Sequence, residues 1–280
     1  MSTICSRAEI NTGEAGIKEW IKALNERYPK WNIHISSELT APEYAEGKVN
    51  ELLKGNRKVV YSEKLHLAVS LRSFRAERLS DFVHALLSLE SSKNAKKLYQ
   101  NVVDNKYPVY LTRDISKARK WLRENARGST QTGILVSKVA ARFKPQAVNV
   151  LAQGDEYAVH WFLEDKSDVR SSNYLEEAAT EIQVQGLELD FACILWDADF
   201  RYEDGHWGYY KFNGKTAWTV EKNDEAKKYM LNAYRVLLTR ARQGIVICVP
   251  EGNSRRNAEG YPEDATRLPG FYDGTYEYLK

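Results

Sequence analysis

Residues Asn232–Val249 read NAYRVLLTRARQGIVICV, and this stretch decides the fold class. Its first part continues a helical pattern that opens at Asp224, with Ala226, Met230, Ala233, Tyr234 and Leu237 along one side. The spacing predicts a long helix over 224–242, stopped by Gly244. Ile245–Val249 follows at once, five apolar residues in a row, the composition of a strand buried on both faces. A helix feeding directly into such a strand is the repeating unit of a parallel α/β sheet.

Working outward, the same alternation recurs. The segment AERLSDFVHALLSLE aligns Leu79, Phe82, Val83, Leu86 and Leu87 in one helical stripe. Strands are expected at Tyr107–Leu111, Gly133–Val136, Glu181–Val184 and Phe191–Trp196, with helices at Ile115–Asn125, capped by Asp114, and at Lys138–Phe143. Upstream, helices are expected at Gly13–Arg27 and Tyr44–Leu53, and strands at Trp31–Ile35, Lys58–Ser62 and Leu65–Leu71. The block Tyr202–Val220 breaks the rhythm. It is aromatic, alternating and centred on Asn213-Gly214, which predicts a β-hairpin inserted in the scaffold. From Glu251 onward the chain is rich in Gly, Pro, Asn and charge and reads as a tail.

Composition narrows the function classes. The 280 residues carry 41 Lys+Arg against 38 Asp+Glu, too even a balance to argue for a nucleic-acid partner from net charge alone. No apolar run is long enough for a membrane span, and the first residues show no secretory h-region. Three widely spaced cysteines, Cys5, Cys193 and Cys248, exclude a disulfide framework and fit a reducing, cytoplasmic setting.

Several motifs have plainer explanations. Gly214-Lys215-Thr216 imitates the end of a P-loop, but the upstream Gly208 is one residue too far and the context is a hairpin. Asp197 and Asp199 could hold a divalent metal for a nuclease, yet they equally suit a strand end that caps and turns, which is the expectation here. The five histidines are scattered and form no ligand spacing. The basic helix carrying Lys117, Arg119, Lys120, Arg123 and Arg127 beside Trp121 reads as a solvated face. Thr112-Arg113 and Ser137-Lys138 each place a hydroxyl and a cation where a strand enters a helix, a setting that suits a nucleic-acid phosphate. Arg72 stands at the mouth of a strand, Gly186 and Glu188 in a turn between strands, and Arg235, Arg240 and Arg242 on the long helix, with Arg235 and Arg242 on one face. Guanidinium groups on a core-packed helix call for an anion.

Three segments in order, Leu71-Arg72-Ser73, Gln185-Gly186-Leu187-Glu188 and Tyr234–Ala241 (YRVLLTRA), resemble the motifs of the second RecA-like domain of superfamily 1 helicases. The QGLE variant with LLTRAR is most similar to bacterial helicase-like proteins related to the Schlafen group 3 helicase domain, and INTGEAG resembles a stretch of that family after its third motif. The resemblance implies a RecA-like fold and a nucleic-acid-dependent ATPase. It implies that Arg240 and Arg72 face the γ-phosphate, that Gln185, Gly186, Glu188 and Arg235 belong to the nucleotide-sensing side, and that the Thr112–Arg113 and Ser137–Lys138 loops touch single-stranded DNA or RNA.

It further implies an order of parts: residues 1–64 as a remnant of a preceding RecA-like domain, 65–250 as the second RecA-like domain with its hairpin at 202–220, and 251–280 as the tail. The family's P-loop and acidic Mg²⁺ motif would lie upstream of Met1. ATP and Mg²⁺ are therefore expected only when an N-terminal P-loop domain, such as a separately encoded helicase half, completes the site. A non-enzymatic strand-binding module, with bases stacking on Trp207, Tyr209 and Tyr210, is the alternative from another class.

Overall fold

The computed structural model describes residues 17–36, 49–54, 58–65, 74–89, 92–140, 142–151, 155–213 and 217–280. Arg72, the INTGEAG stretch, the expected strand beyond Leu65 and the Gly214-Lys215-Thr216 tripeptide lie outside them. The chain divides into two compact units, Met1–Leu71 and Arg72–Lys280.

In the first unit, α1 (Ile17–Arg27) and α2 (Val49–Leu52) accompany β1 (Ile33–Ile35) and β2 (Val59–Tyr61), which pair in parallel. Ile21, Val49 and Leu53 form its small core, with Ile33, Ile35 and Val59 against it.

The second unit carries α3 (Phe74–Leu87), α4 (Ser92–Asp104), β3 (Val109–Thr112), α5 (Ile115–Asn125), β4 (Thr132–Val136), β5 (Asn149–Val150), α6 (Asp155–Leu163), β6 (Glu177–Thr180) and β7 (Leu189–Leu195). After them come β8 (Phe200–Glu203), β9 (His206–Asn213), β10 (Ala217–Val220), α7 (Asp224–Leu238), β11 (Ala241–Cys248) and α8 (Gly270–Leu279). Six strands form one parallel sheet in the order β3-β11-β7-β4-β6-β5. The alternation of side chains builds two cores. Ala192 and Ile194 of β7 join Ile245 and Ile247 of β11 under α3, α6 and α7. Phe191, Cys193 and Leu195 join Val246 and Cys248 on the opposite face, under Ala118 and Leu122 of α5. The α/β parallel sheet flanked by helices is therefore the architecture read from the sequence, and it is consistent with a RecA-like fold.

Several boundaries differ. The long helix ends at Leu238, where Thr239 turns its hydroxyl back to the Arg235 carbonyl, and β11 already begins at Ala241. Gly244 is thus no helix stop. It lies within the strand because an added Cβ would sit 2.6 Å from Pro108 and 3.1 Å from the Phe191 ring. Arg235 and Arg242 accordingly share no helix face. Residues 181–186 form a turn rather than a strand, β6 having ended at Thr180. The segment after Ser137 is a turn leading to a 3₁₀ turn at Lys144–Gln146, not a helix.

The expected hairpin is a three-stranded antiparallel meander, β8-β9-β10. Its first turn is Asp204-Gly205, both at positive φ (50° and 83°), as a two-residue type I′ connection requires. Asn213 pairs with Ala217 in the second hairpin, so strands flank residues 214–216 on both sides. Of the aromatic residues, Phe200 and Trp207 are core, while Tyr209 and Tyr210 are partly buried. Trp207 is buried and stacks on Phe200 at 4.4 Å and on Trp196 at 5.6 Å, so it offers no platform to a base.

The last segment is ordered against this meander. Thr275 accepts the Tyr202 N–H at 2.9 Å, Tyr278 stacks on Tyr202 at 4.1 Å, and the Tyr278 hydroxyl donates to the Leu86 carbonyl at 2.7 Å. Gly274 of α8 lies directly on the Tyr202 carbonyl, leaving no room for a side chain. We expect Gly274→Ala to lift α8 from β8 and cost about 1–3 kcal/mol, read as a lowered thermal midpoint and faster proteolysis after residue 251. An unchanged midpoint would show that α8 contributes nothing to the fold.

Candidate functional site

A parallel sheet covered on both faces leaves its strand ends as the places where polar groups gather. Leu189 and Ala241 start neighbouring strands, so the QGLE turn and the LLTRAR segment meet at the amino end of the sheet. Gly186 holds φ at 85°, a left-handed conformation, one residue before Leu187. Arg240 is buried and donates from Nη1 to that carbonyl at 3.1 Å, while the Leu189 N–H donates to the Arg240 carbonyl at 3.2 Å. Two segments 53 residues apart in sequence are thereby fastened to each other. Arg235, in the last turn of α7, donates to the Asn232 side-chain oxygen at 2.5 Å.

A residue not singled out from the sequence organises the same end. Asp190, buried at the start of β7, accepts the Gln131 N–H at 2.9 Å, Arg242 Nη2 at 2.8 Å and Gln243 Nε2 at 2.7 Å. The anion that Arg242 needed is thus this carboxylate, supplied by the adjacent strand. Tyr107 adds a bond from its hydroxyl to the Ala241 carbonyl at 3.0 Å.

The two loops proposed for nucleic acid lie at the opposite, carboxyl end, on β3 and β4, which β11 and β7 separate. Their phosphate-seeking groups are already occupied. At the start of α5, the Asp114 carboxylate accepts the Ser116 and Lys117 N–H groups, and Thr112 Oγ accepts the Asp114 N–H at 3.1 Å. Arg113 donates to the Pro250 carbonyl at 2.8 Å and pairs with Asp273 of α8 at 2.7 Å. Ser137 is fully buried and its hydroxyl accepts from Val139 N–H at 3.2 Å. The Lys138 N–H donates to Glu181 at 2.8 Å, and the Arg142 N–H to Asp197 at 3.1 Å. Among the described residues of that turn, the Lys138 side chain is exposed.

Asp197 and Asp199 are both buried. Asp197 also accepts the Ala198 N–H at 2.8 Å and the Tyr272 hydroxyl at 3.0 Å, and Asp199 accepts the Tyr234 hydroxyl at 2.7 Å. They cap the strand end, as expected, and neither carboxylate stands in solvent where a hydrated metal ion would meet it. Burial, reinforced by the neighbouring Asp197 charge, pushes the Asp199 carboxyl from 3.8 up to about 7. Burial likewise raises Glu181, although the Lys138 N–H works against it.

Because folded Asp199 holds its proton more tightly than the unfolded chain, stability falls as pH rises from about 4 to about 7. Carboxylates held low, Asp168 at about 2 and Asp264 below its usual value, act in the opposite sense and in more acidic solution. Thermal denaturation from about pH 5 to about pH 8 is expected to show Asp199→Asn more stable than the parent at the alkaline end, the gap closing toward the acid end. A constant gap across the range would contradict this assignment.

Among the described residues, no helix is long and apolar enough to cross a membrane. No curated protein and no solved structure matches this chain. A protein-family model described as "Schlafen group 3, DNA/RNA helicase domain" matches residues 6–251, which include the QGLE turn, the LLTRAR segment, both strand-end loops and the meander. The match covers most of the chain, and the α/β parallel sheet accords with it. The chain belongs to the Schlafen group 3 DNA/RNA helicase domain family.

Proposed function

We propose that this chain is the second RecA-like half of a superfamily 1-type, nucleic-acid-dependent ATPase. One observation carries the reading: Arg240 is fastened to the Leu187 carbonyl, so that the LLTRAR and QGLE segments form a single unit. Supporting it, the family of the chain is a DNA/RNA helicase domain. The amino end of the sheet also concentrates guanidinium donors, Arg235, Arg240 and Arg242, beside Gln185. N–H donors of this kind suit phosphate oxygens.

The donor set fits the γ-phosphate-facing side of a nucleotide site, not its cradle. The sequence holds no G-x-x-x-x-G-K-[ST] element to wrap the phosphates and no matching acidic Mg²⁺ motif. Bound nucleotide with Mg²⁺ would supply the phosphoryl chemistry, held by a P-loop outside this chain. What these residues do is narrower. Arg240, released from Leu187, would present its guanidinium to developing charge, and Arg72 would be a second such donor. Release of Leu187 would free the 181–188 turn, which joins the amino end of β7 to the carboxyl end of β6. Movement at one end of the sheet is thereby carried to the end where Lys138 bonds Glu181.

A second reading is a non-enzymatic nucleic-acid-binding module. The buried, carbonyl-bound state of Arg240 favours it, because a finger so engaged needs an outside cause to leave. Steady-state ATP hydrolysis with and without single-stranded DNA separates the two. The chain alone is expected to match the buffer blank. Supplied with a P-loop half of the same family, it is expected to hydrolyse ATP, and Arg240→Ala to lower that rate by about 10³-fold. A rate unaffected by Arg240→Ala would favour the plain binder. DNA-stimulated hydrolysis by the chain alone would contradict the need for an outside P-loop.

A further inference from the structure

With the backbone donors of the strand-end loops occupied, a different surface of the second unit is open to a polyanion. Helix α5, ISKARKWLREN, carries Lys117, Arg119, Lys120 and Arg123 against Glu124 alone. Four cations less one acid give +3 over eleven residues, equal to the formal net charge of the whole chain. Ala118 and Leu122 are buried against the sheet, so the row Ser116, Lys120 and Arg123 faces out, spaced i, i+4 and i+7, and Arg127, exposed two residues past the helix end, follows it. Arg119 is the staple beneath this row. It donates to the Leu175 carbonyl at 2.9 Å and to the Ala147 carbonyl at 2.7 Å, which brings the exposed Lys144 turn alongside.

Lys117, Arg123, Arg127 and Lys144 have no ion-pair partner among the described residues. Glu124 stands 3.8 Å from Lys120 with both side chains mostly in water, a pairing too weak to neutralise the row. Beside the helix, on the outermost strand β3, the Tyr110 ring is 53% exposed. It is held edge-on by Trp121 at 5.3 Å, and Trp121 in turn by Phe191 at 5.5 Å. A half-open aromatic ring, held by Trp121, thus lies on the flank of α5 that carries Lys117 one turn before Trp121.

We propose that this face, the outer row of α5 with the Lys144 turn and the Tyr110 ring, is a track for a single-stranded nucleic acid. The inference rests on the nucleic-acid side of the reading above and gives that side a surface. Cations about one helical turn, ~5.4 Å, apart can meet successive phosphates of a strand, and an exposed ring beside them can take the face of a base. An anionic membrane would call for apolar side chains projecting among the cations, and the row has Ser116 instead.

The test is fluorescence anisotropy of the full chain with labelled single-stranded DNA and RNA oligonucleotides over a salt series. The variants are Lys120→Glu/Arg123→Glu/Arg127→Glu, Tyr110→Ser, and an equal charge change on the exposed face of α4, Lys93→Glu/Lys96→Glu/Lys97→Glu. Circular dichroism confirms that each is folded. The α5 triple is expected to weaken binding by at least about tenfold and to flatten the salt dependence by about two ions. Tyr110→Ser is expected to weaken binding without altering the salt slope, and the α4 triple to stay within about threefold of the parent. Equal loss in the α4 and α5 triples, no loss in the α5 triple, or tighter binding to anionic phospholipid vesicles than to the oligonucleotides would overturn the proposal. A parent chain that binds no oligonucleotide at all would bring down the nucleic-acid reading with it. A binding parent with an indifferent α5 triple would remove this surface alone.

Discussion

Every strand of the central sheet runs the same way and is covered on both faces, and that constraint distributes the polar groups of the second unit. Side chains in the middle of β4, β7 and β11 are apolar because helices or turns press on them from each side. Charged groups are pushed to the ends, where backbone donors and acceptors are left over. At the amino end the leftover carbonyl of Leu187 is met by Arg240, and Asp190 gathers Gln131, Arg242 and Gln243. At the carboxyl end the leftover N–H groups of Lys138 and Arg142 are met by Glu181 and Asp197. At the amino end a guanidinium meets a leftover carbonyl, and at the carboxyl end carboxylates meet leftover N–H groups.

This polarity separates residues that the helicase resemblance draws into one functional list. Arg240 and the QGLE turn stand together, whereas the Thr112 and Ser137 loops lie at the far end of the strands. The turn at 181–188 is the covalent path between the two ends, since it leaves β6 beside Glu181 and enters β7 beside Leu187. The carboxyl end is further closed by the chain's own last segment. Asp264 pairs with Arg142 at 3.0 Å, Asp273 with Arg113 at 2.7 Å, and the Tyr272 hydroxyl reaches Asp197. Two cations that a strand of phosphates would seek are held by these acids instead.

The fold class was legible because an apolar run such as Ile245–Val249 has only one comfortable setting. Its boundary was not. Arg242 and Gln243 look helical beside LLTR, yet they are the exposed start of a strand, and only Asp190 from the neighbouring strand explains them. The meander is half legible: Asn213-Gly214 marks its second hairpin, and the first turns at Asp204-Gly205, an equally good turn signal. Trp207 illustrates why aromatic residues mislead. Alternation along β9 shows which residues share a face but not that this face meets Trp196 and Phe200. The polar partners of Glu181, Tyr234 and Tyr272 are not legible because they lie 43, 35 and 75 residues away. Local spacing carries no trace of such contacts. Arg240 and Leu187, 53 residues apart, meet directly, a contact that local spacing does not show either.

The central claim is that Arg240 and the QGLE turn act as one unit. Amide hydrogen exchange on the parent chain and on Arg240→Met, which keeps the bulk and removes the donors, addresses it most directly. The account predicts that protection falls together in 187–190 and 240–243, while 193–196 of β7 stays protected. Unchanged protection at 187–190 in the variant would show that the turn stands without Arg240, and the claim would fail.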